Sequence, residues 1–422
     1  MNLRRLASSV AGALLPLLLV ASPVVVAQTG RAARVPPPTP VPPAGSPSPF
    51  PTALHTPAPG MRPPTIAAEG AILGDLSTGQ VLFSHKPDVE RPIASLTKIM
   101  TALLALERLD PNRIVTVRPD AAPGSVVGLS ELGLRAGERI DVRDLLYGLM
   151  LASANDAAIA LADAISGSAH AFIPEMNRRA SRLGLEDTRF FSPNGLDDRG
   201  YSTPHDLFAL TRQAYEQPLF ARITGTKFAD VSGPNGKPRH LQNRNVLLWL
   251  YPGAFGVKTG YTRAAGYCVV AAAKREGLSL VSVVLGEPSE AFSDAAALLD
   301  YGFRAFEQKT FVDAKQTFDP VQLHGESVPV AAQARLDGLV PAGSAATTRQ
   351  MIELDPKAPF PPAVGDPVAT VEVTVGGAPI GSVPLVATVR PRPPPPPPGG
   401  WLSRSLGAVR DAVSDALGAL LS

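Results

Sequence analysis

The chain has 422 residues, 45% hydrophobic and 18% charged, enough for two or three domains around a substantial core. Its net charge of +2 lacks the basic excess that a nucleic-acid-binding surface needs. A single cysteine, Cys268, excludes an internal disulfide, and in the run Tyr267-Cys268-Val269-Val270 it reads as a buried core thiol.

Residues 1–27 read as a secretory signal: Arg4 and Arg5, an apolar stretch from Leu14 to Val20 interrupted by Pro16, and a small-residue site ending at Ala27. A retained membrane anchor is the alternative, and the lack of a nearby cysteine excludes a lipoprotein anchor. The mature protein is therefore expected outside the cytoplasm, in a periplasm or cell-wall space. Residues 28–65 are dominated by proline and are expected to form an extended tether, with a docking ligand as the alternative.

Ordered structure is expected from about Ile66, with a first domain at 66–308. Ala71–Asp75 and Val81–Phe83, separated by Ser77-Thr78-Gly79, predict a strand, a turn and a strand. Ile99, Leu103, Leu106 and Leu109 predict a helix running from Ser95. Leu145 to Ala164 reads as two buried helices separated by a polar loop at Ser153, Asn155 and Asp156. Val269–Ala273 and Leu278–Leu285 predict adjacent core strands, and Ser293–Phe306 a closing helix. Strands at both ends with helices between them indicate an α+β fold.

Residues 309–390 change to short alternating segments with Gly and Pro punctuation, which predicts a small β-rich domain with a hairpin around Gly376-Gly377. A Pro-rich linker follows at 391–400. Residues 401–422 are amphipathic: Leu402, Leu406, Val409, Val413 and Leu417 lie at helical spacing, with four charges elsewhere. Peripheral membrane contact, with Trp401 at the interface, is the favoured expectation. The alternative is a helix packed on its own protein or on a second copy.

Three motifs carry the chemistry, and their fixed order matters more than any one of them. Ser95-Leu96-Thr97-Lys98 puts a hydroxyl and an amine on one helical face. Lysine can take the serine proton only when neutral, which requires desolvation, here by Ile93, Leu96 and Ile99, and a nearby positive charge such as Lys258. Alone, the tetrapeptide could equally be an N-cap with a solvated lysine. Ser153-Ala154-Asn155 places polar groups in an apolar run, either as an Asx-capped turn or as a proton relay and substrate anchor. Lys258-Thr259-Gly260, followed by Tyr261, offers positive potential, a hydroxyl for a carboxylate and close backbone approach. Amides of Ser95 and Tyr261 could form an oxyanion hole, and a turn with a surface lysine is the alternative. The six histidines show no zinc spacing and no Gly-x-Ser-x-Gly elbow occurs, so neither a metal nor a cofactor is expected.

Ser-x-x-Lys and Lys-Thr-Gly are signatures described for penicillin-binding proteins and β-lactamases. The chain resembles the serine D-alanyl-D-alanine carboxypeptidases of peptidase family S11, the low-molecular-mass penicillin-binding proteins. The resemblance rests on Ile93–Thr101, Ser153–Ala158, Asn194-Gly195-Leu196-Asp197, Tyr201-Ser202-Thr203, Asn243-Arg244-Asn245 and Leu247-Leu248-Trp249, and it covers about Ile66 to Phe306. It implies a β-lactamase/DD-peptidase-like domain, with a helical cluster on an antiparallel sheet, then a β-rich domain and often an amphipathic terminal anchor. The implied reaction removes the terminal D-alanine from peptidoglycan stem pentapeptides through a Ser95 acyl-enzyme, serving cell-wall biosynthesis and cell shape. The catalytic residues it implies are Ser95, Lys98 and Ser153, and the substrate-binding residues Asn155, Lys258, Thr259, Gly260, Tyr261 and Arg244. β-Lactam antibiotics would acylate the same serine. Ser279 stands where some relatives carry an arginine. Rival readings are a DD-endopeptidase with the same residues, and a β-lactamase-like hydrolase, against which stands the lack of a Glu-x-x-Leu-Asn segment. A non-enzymatic wall-binding protein is disfavoured because all the catalytic residues are present.

Overall fold

The structure is a computed structural model that describes residues 61–122, 130–289, 291–343 and 347–390, together with Val409 and Val413. The expected signal at 1–27, most of the tether at 28–65 and the linker at 391–400 lie outside the described residues. Of the amphipathic segment at 401–422, those two valines alone are described, both helical and exposed.

The first layer of the fold is a five-stranded antiparallel sheet. Its strands are β1 (Gly70–Asp75), β2 (Val81–His85), β3 (Ala254–Thr262), β4 (Gly266–Arg275) and β5 (Leu278–Glu287), in the order β2-β1-β5-β4-β3. Residues from the two ends of the domain thus meet in the middle of the sheet, where Gly70 pairs with Leu285 and Asp75 with Leu280. β4 and β5 are joined by Glu276-Gly277, both with left-handed backbone (φ 48° and 89°), the conformation a two-residue hairpin turn requires.

β5 shows why the sheet is central. Val281, Val283 and Leu285 face one core, while Leu278, Leu280 and Val284 face another. Apolar side chains on both faces mean that both faces must be covered. On one side lie α1 (Lys98–Arg108), α2 (Val142–Leu151), α3 (Asn155–Ser166), α4 (Ala169–Arg182), α5 (Pro204–Tyr215) and α6 (Pro218–Thr224). After α7 (Leu247–Leu250), the other side is closed by α8 (Phe292–Ala305), whose Leu298, Leu299 and Ala295 pack on the second core.

α1 is buried along its first eight residues, as befits a helix at the centre of a bundle. The helix expected from Ser95 differs at its start: Ala94–Thr97 is a 3-10 turn and the α-helix begins at Lys98. The cause is local backbone geometry, because Ala94 sits at φ 46°, which no α-helix can contain. α2 and α3 are separated by Ala152-Ser153-Ala154, with Ser153 also left-handed at φ 60°.

The β-rich segment begins directly at the end of α8. β6 (Phe306–Val312) pairs with β9 (Leu336–Pro341), and β7 (Thr317–Leu323), β8 (Glu326–Ala332), β10 (Thr348–Leu354), β11 (Pro367–Val375) and β12 (Ala378–Ala387) form a second antiparallel sheet in the order β7-β8-β12-β11-β10. Gly376-Gly377, at φ 58° and 88°, closes the β11–β12 hairpin. Val328, Val368, Val371 and Leu385 are fully buried at the centre of this domain's own core.

A buried hydrogen bond ties the two sheets' domains together. Gln80 is fully buried, and its Oε1 accepts from Leu339 N at 2.7 Å. Replacing it by an apolar isostere leaves the Leu339 amide buried without that acceptor, a cost of about 1–3 kcal/mol. Gln80→Leu is therefore expected to lower the thermal midpoint by several degrees in calorimetry.

Candidate active site

The site forms where the 3-10 turn at Ala94–Thr97, the α2–α3 break and the edge strand β3 converge. Close approach of β3 to the turn depends on Gly260. A Cβ there would lie 3.0 Å from Ile93 O and 3.1 Å from Ser95 N, tighter than ordinary packing allows. A second contact of the same kind fixes the turn from the other side. Gly195, at φ 80°, packs so closely on Ala94 O that any side chain would overlap it.

Lys98 is fully buried at the first position of α1. Its Nζ donates to Ser95 Oγ (2.9 Å), to Asn155 Oδ1 (2.8 Å) and to Asn194 O (2.6 Å). None of these partners is a carboxylate, so the ammonium is desolvated without a counter-ion in contact. Burial is the main cause that holds its pKa well below the usual lysine range, followed by the positive charges of Lys258 and Arg244; Asp156 acts weakly the other way. The contact set also orients the neutral amine. Two carbonyl oxygens take its two N–H groups, so the lone pair is left toward Ser95 Oγ, the one partner with a proton to give.

Ser153 and Asn155 enter from the α2–α3 break. Both are buried and both line the cavity in front of Ser95. Asn155 N donates to Ser130 O at 2.7 Å. The neighbouring Asp156 spends its carboxylate on backbone amides: Oδ1 accepts from Leu132 and Ala157, and Oδ2 from Leu134. These bonds hold the segment after Ser130 against α3 and so present Ser130 to the cavity.

Lys258 is buried, which excludes the alternative of a surface lysine. Its Nζ donates to Thr259 O at 2.8 Å, and burial, with Arg244 as the second cause, lowers its pKa to about 7. Arg244 follows the β-ladder residue Gln242, and its Nη1 donates to Ser130 Oγ at 2.7 Å. The cavity, about 520 Å³, is lined by Ser95, Ser130, Ser153, Asn155 and Arg244 on one side and by Thr259, Gly260, Tyr261 and Tyr267 on the other. Tyr261 is 59% exposed and stacks on Tyr267 with ring centroids 4.6 Å apart, making an aromatic rim. Cys268 also borders the cavity, with its thiol pushed up to about 11 by burial. Among the described lining residues none is acidic, while Arg244 borders the cavity and Lys98 and Lys258 lie buried behind it. The site therefore suits an anionic ligand with an electrophilic carbonyl.

All nine residues singled out from the sequence surround this space: seven line it directly, and Lys98 and Lys258 sit behind Ser95 and Thr259. Three contributors carried no assigned role. Asn194 acts through its backbone carbonyl, which has no sequence signature; the neighbouring Gly195 was the available signal. Ser130 gave none. Asp156 stood out as a charge in an apolar run, yet its work is to hold a loop.

Residues 58–289 match the family model for D-alanyl-D-alanine carboxypeptidase, and residues 306–390 match that for the C-terminal domain of penicillin-binding protein 5. The D-alanyl-D-alanine carboxypeptidase DacF of Bacillus subtilis is 36% identical over 262 residues, covering 61% of this chain and 67% of that protein. DacC of Escherichia coli is 34% identical over 343 residues, covering 76% and 84%. Among solved structures, penicillin-binding protein 5 from Haemophilus influenzae superimposes with a TM-score of 0.67 at 30% identity, covering 78% of this chain and 99% of that one.

The electrostatics predict a pH profile. Arg244 depresses both buried lysines, so Arg244→Gln should raise the Lys98 pKa and move the acid limb of Ser95 acylation to higher pH. The second-order acylation rate should fall most at neutral pH and recover in part under alkaline conditions, the unrecovered part being any lost binding contact, whereas a pure binding role would lower it equally throughout. Folding stability carries the opposite cost. Native Lys258 releases its proton near pH 7 while the unfolded chain holds it to about 10.5, so stability should rise with pH across that window.

Proposed function

The chain belongs to the D-alanyl-D-alanine carboxypeptidase family, and on that premise we propose how its own residues perform the reaction. It is a serine-type D-Ala-D-Ala carboxypeptidase and a penicillin-binding protein that acts on peptidoglycan peptides. Neutral Lys98 takes the Ser95 proton as Oγ attacks the carbonyl of the penultimate D-alanine. The oxyanion is held by the Ser95 and Tyr261 amides, a type of contact worth about 2.7–4 kcal/mol per donor. Ser153 hands a proton to the departing D-alanine amine and is reprotonated by Lys98, which carries the proton taken from Ser95. Neutral again, Lys98 serves as base for the water that hydrolyses the Ser95 ester.

The observation that carries this reading is the coordination of Lys98: fully buried, without a contacting carboxylate, and bonded to Ser95 Oγ. β3 is an edge strand, so its unpaired side can accept an extended stem peptide in β-fashion. Thr259 Oγ1 and Arg244 bind the terminal carboxylate, which a β-lactam also carries. The described cavity-lining side chains include no carboxylate of the kind a β-lactamase uses to activate water, which favours a slowly hydrolysed penicilloyl ester on Ser95. Export through residues 1–27 puts the enzyme beside its polymeric substrate, in a periplasm or cell-wall space. Residues 401–422 give it peripheral membrane contact.

Purified protein should release D-alanine from a diacyl-D-Ala-D-Ala peptide and gain the mass of one penicillin, and Ser95→Ala should lose both. Retained covalent labelling in that variant would falsify the nucleophile assignment. Cleavage of cross-linked dimers without D-alanine release would favour an endopeptidase. Separately, deleting residues 401–422 should move the protein from the membrane to the soluble fraction; an unchanged distribution would remove the membrane assignment.

A further inference from the structure

The two edges of the β-rich domain's sheet are built differently. At one edge, β7 carries Pro320 and a register irregularity between Phe318 and Val321, both features that discourage pairing with another strand. At the other edge, β10 has neither proline nor glycine, and its register against β11 is unbroken from Thr348–Val375 to Leu354–Ala369. All seven of its residues are exposed, including Met351 (58%), Ile352 (38%) and Leu354 (44%).

The phase of the ladder shows which backbone groups point outward. Gly376 N donates to Thr347 O, and Asp355 N donates to Val368 O, so residues of odd number in this stretch bond to β11. Thr348, Gln350, Ile352 and Leu354 therefore direct their N–H and C=O groups away from the sheet. Four successive outward pairs on a strand of unbroken register are a template for another strand.

We propose that β10 pairs antiparallel with β10 of a second copy of this chain, about a two-fold axis through Met351. The sequence Thr-Arg-Gln-Met-Ile-Glu-Leu is self-complementary in that register. Arg349 of each copy stands opposite Glu353 of the other, and Met351 opposite Met351. Thr348 meets Leu354, and Gln350 meets Ile352. These last four are the residues whose backbone groups face outward, so hydrogen-bonding phase and charge pairing select the same register. Their positions Gln350, Ile352 and Leu354 are the register partners of the buried Val373, Val371 and Ala369, so pairing continues the domain's core face across the axis. A two-fold contact of this kind is closed: it uses up both edges and stops at a dimer.

Sedimentation of the full chain at micromolar to high-micromolar concentration tests this. The wild type should be a dimer. Ile352→Pro removes an outward N–H that β11 does not use, so it should give a monomer with unchanged thermal midpoint and unchanged penicillin labelling. Arg349→Glu alone puts like charges opposite each other twice per dimer and should weaken association about tenfold. Combining it with Glu353→Arg should restore the wild-type association. A wild type that is monomeric throughout, or a dimer indifferent to Ile352→Pro and to charge reversal, would overturn the proposal.

Discussion

A lysine held inside a protein without a carboxylate in contact is the constraint on which the rest of this catalytic domain depends. Burying an ammonium costs several kcal/mol unless it is compensated, and protein interiors usually compensate with a negative partner. Here the compensation is three oxygen acceptors, from Ser95, Asn155 and Asn194, which solvate Lys98 without stabilising its charge as a carboxylate would. Asp156 is close enough to act on Lys98, yet it faces the Leu132, Leu134 and Ala157 amides. Two further cations complete the imbalance. The result is an amine whose neutral form is favoured far more than that of an exposed lysine, at the cost of some folding stability.

Holding those acceptors requires backbone in unfavourable conformations, and the strain gathers around the site. Ala94 and Ser153, both with a Cβ, adopt left-handed φ values on either side of the cavity, a conformation that costs of order 1–3 kcal/mol each. Ala94 breaks the helix one residue before Ser95 and so lifts the nucleophile out of the helical ladder toward β3. Ser153 turns its hydroxyl into the cavity at the point where α2 ends. The surroundings over-determine both. Gly195 packs on the Ala94 carbonyl from one side at a distance no side chain could share, and Gly260 lies against Ser95 N from the other, where a Cβ would be crowded.

How much of this was legible in the sequence depends on whether the signal is carried by side-chain identity. β1, β2, β4, β5 and α8 were legible because apolar periodicity and the punctuation at Gly79 and Gly277 report directly on local structure. The site residues were legible because hydroxyl, amine and amide groups interrupt apolar runs. The carbonyl of Asn194 was not, since every residue has one and tertiary packing alone selects it. The 3-10 start at Ser95 was hidden for a related reason: alanine's propensity favours helix, and the left-handed Ala94 is imposed by contacts made from Gly195, about a hundred residues away.

The two five-stranded sheets meet one physical problem, an unpaired edge, in different ways. In the catalytic domain the edge strand β3 borders the cavity, with Ser153 and Asn155 of the α2–α3 break also lining it and Tyr261 and Tyr267 at its rim. In the β-rich domain β7 is blunted by proline and a register irregularity, whereas β10 is left regular and exposed. An edge that is neither blunted nor covered is a liability for a soluble domain unless something pairs with it. The charges at Arg349 and Glu353 narrow the choice, because they repel a strand of unsuited charge and match a second β10 in the antiparallel sense. The same backbone geometry thus supports substrate recognition in one domain and self-recognition in the other, with side chains deciding which strand is admitted.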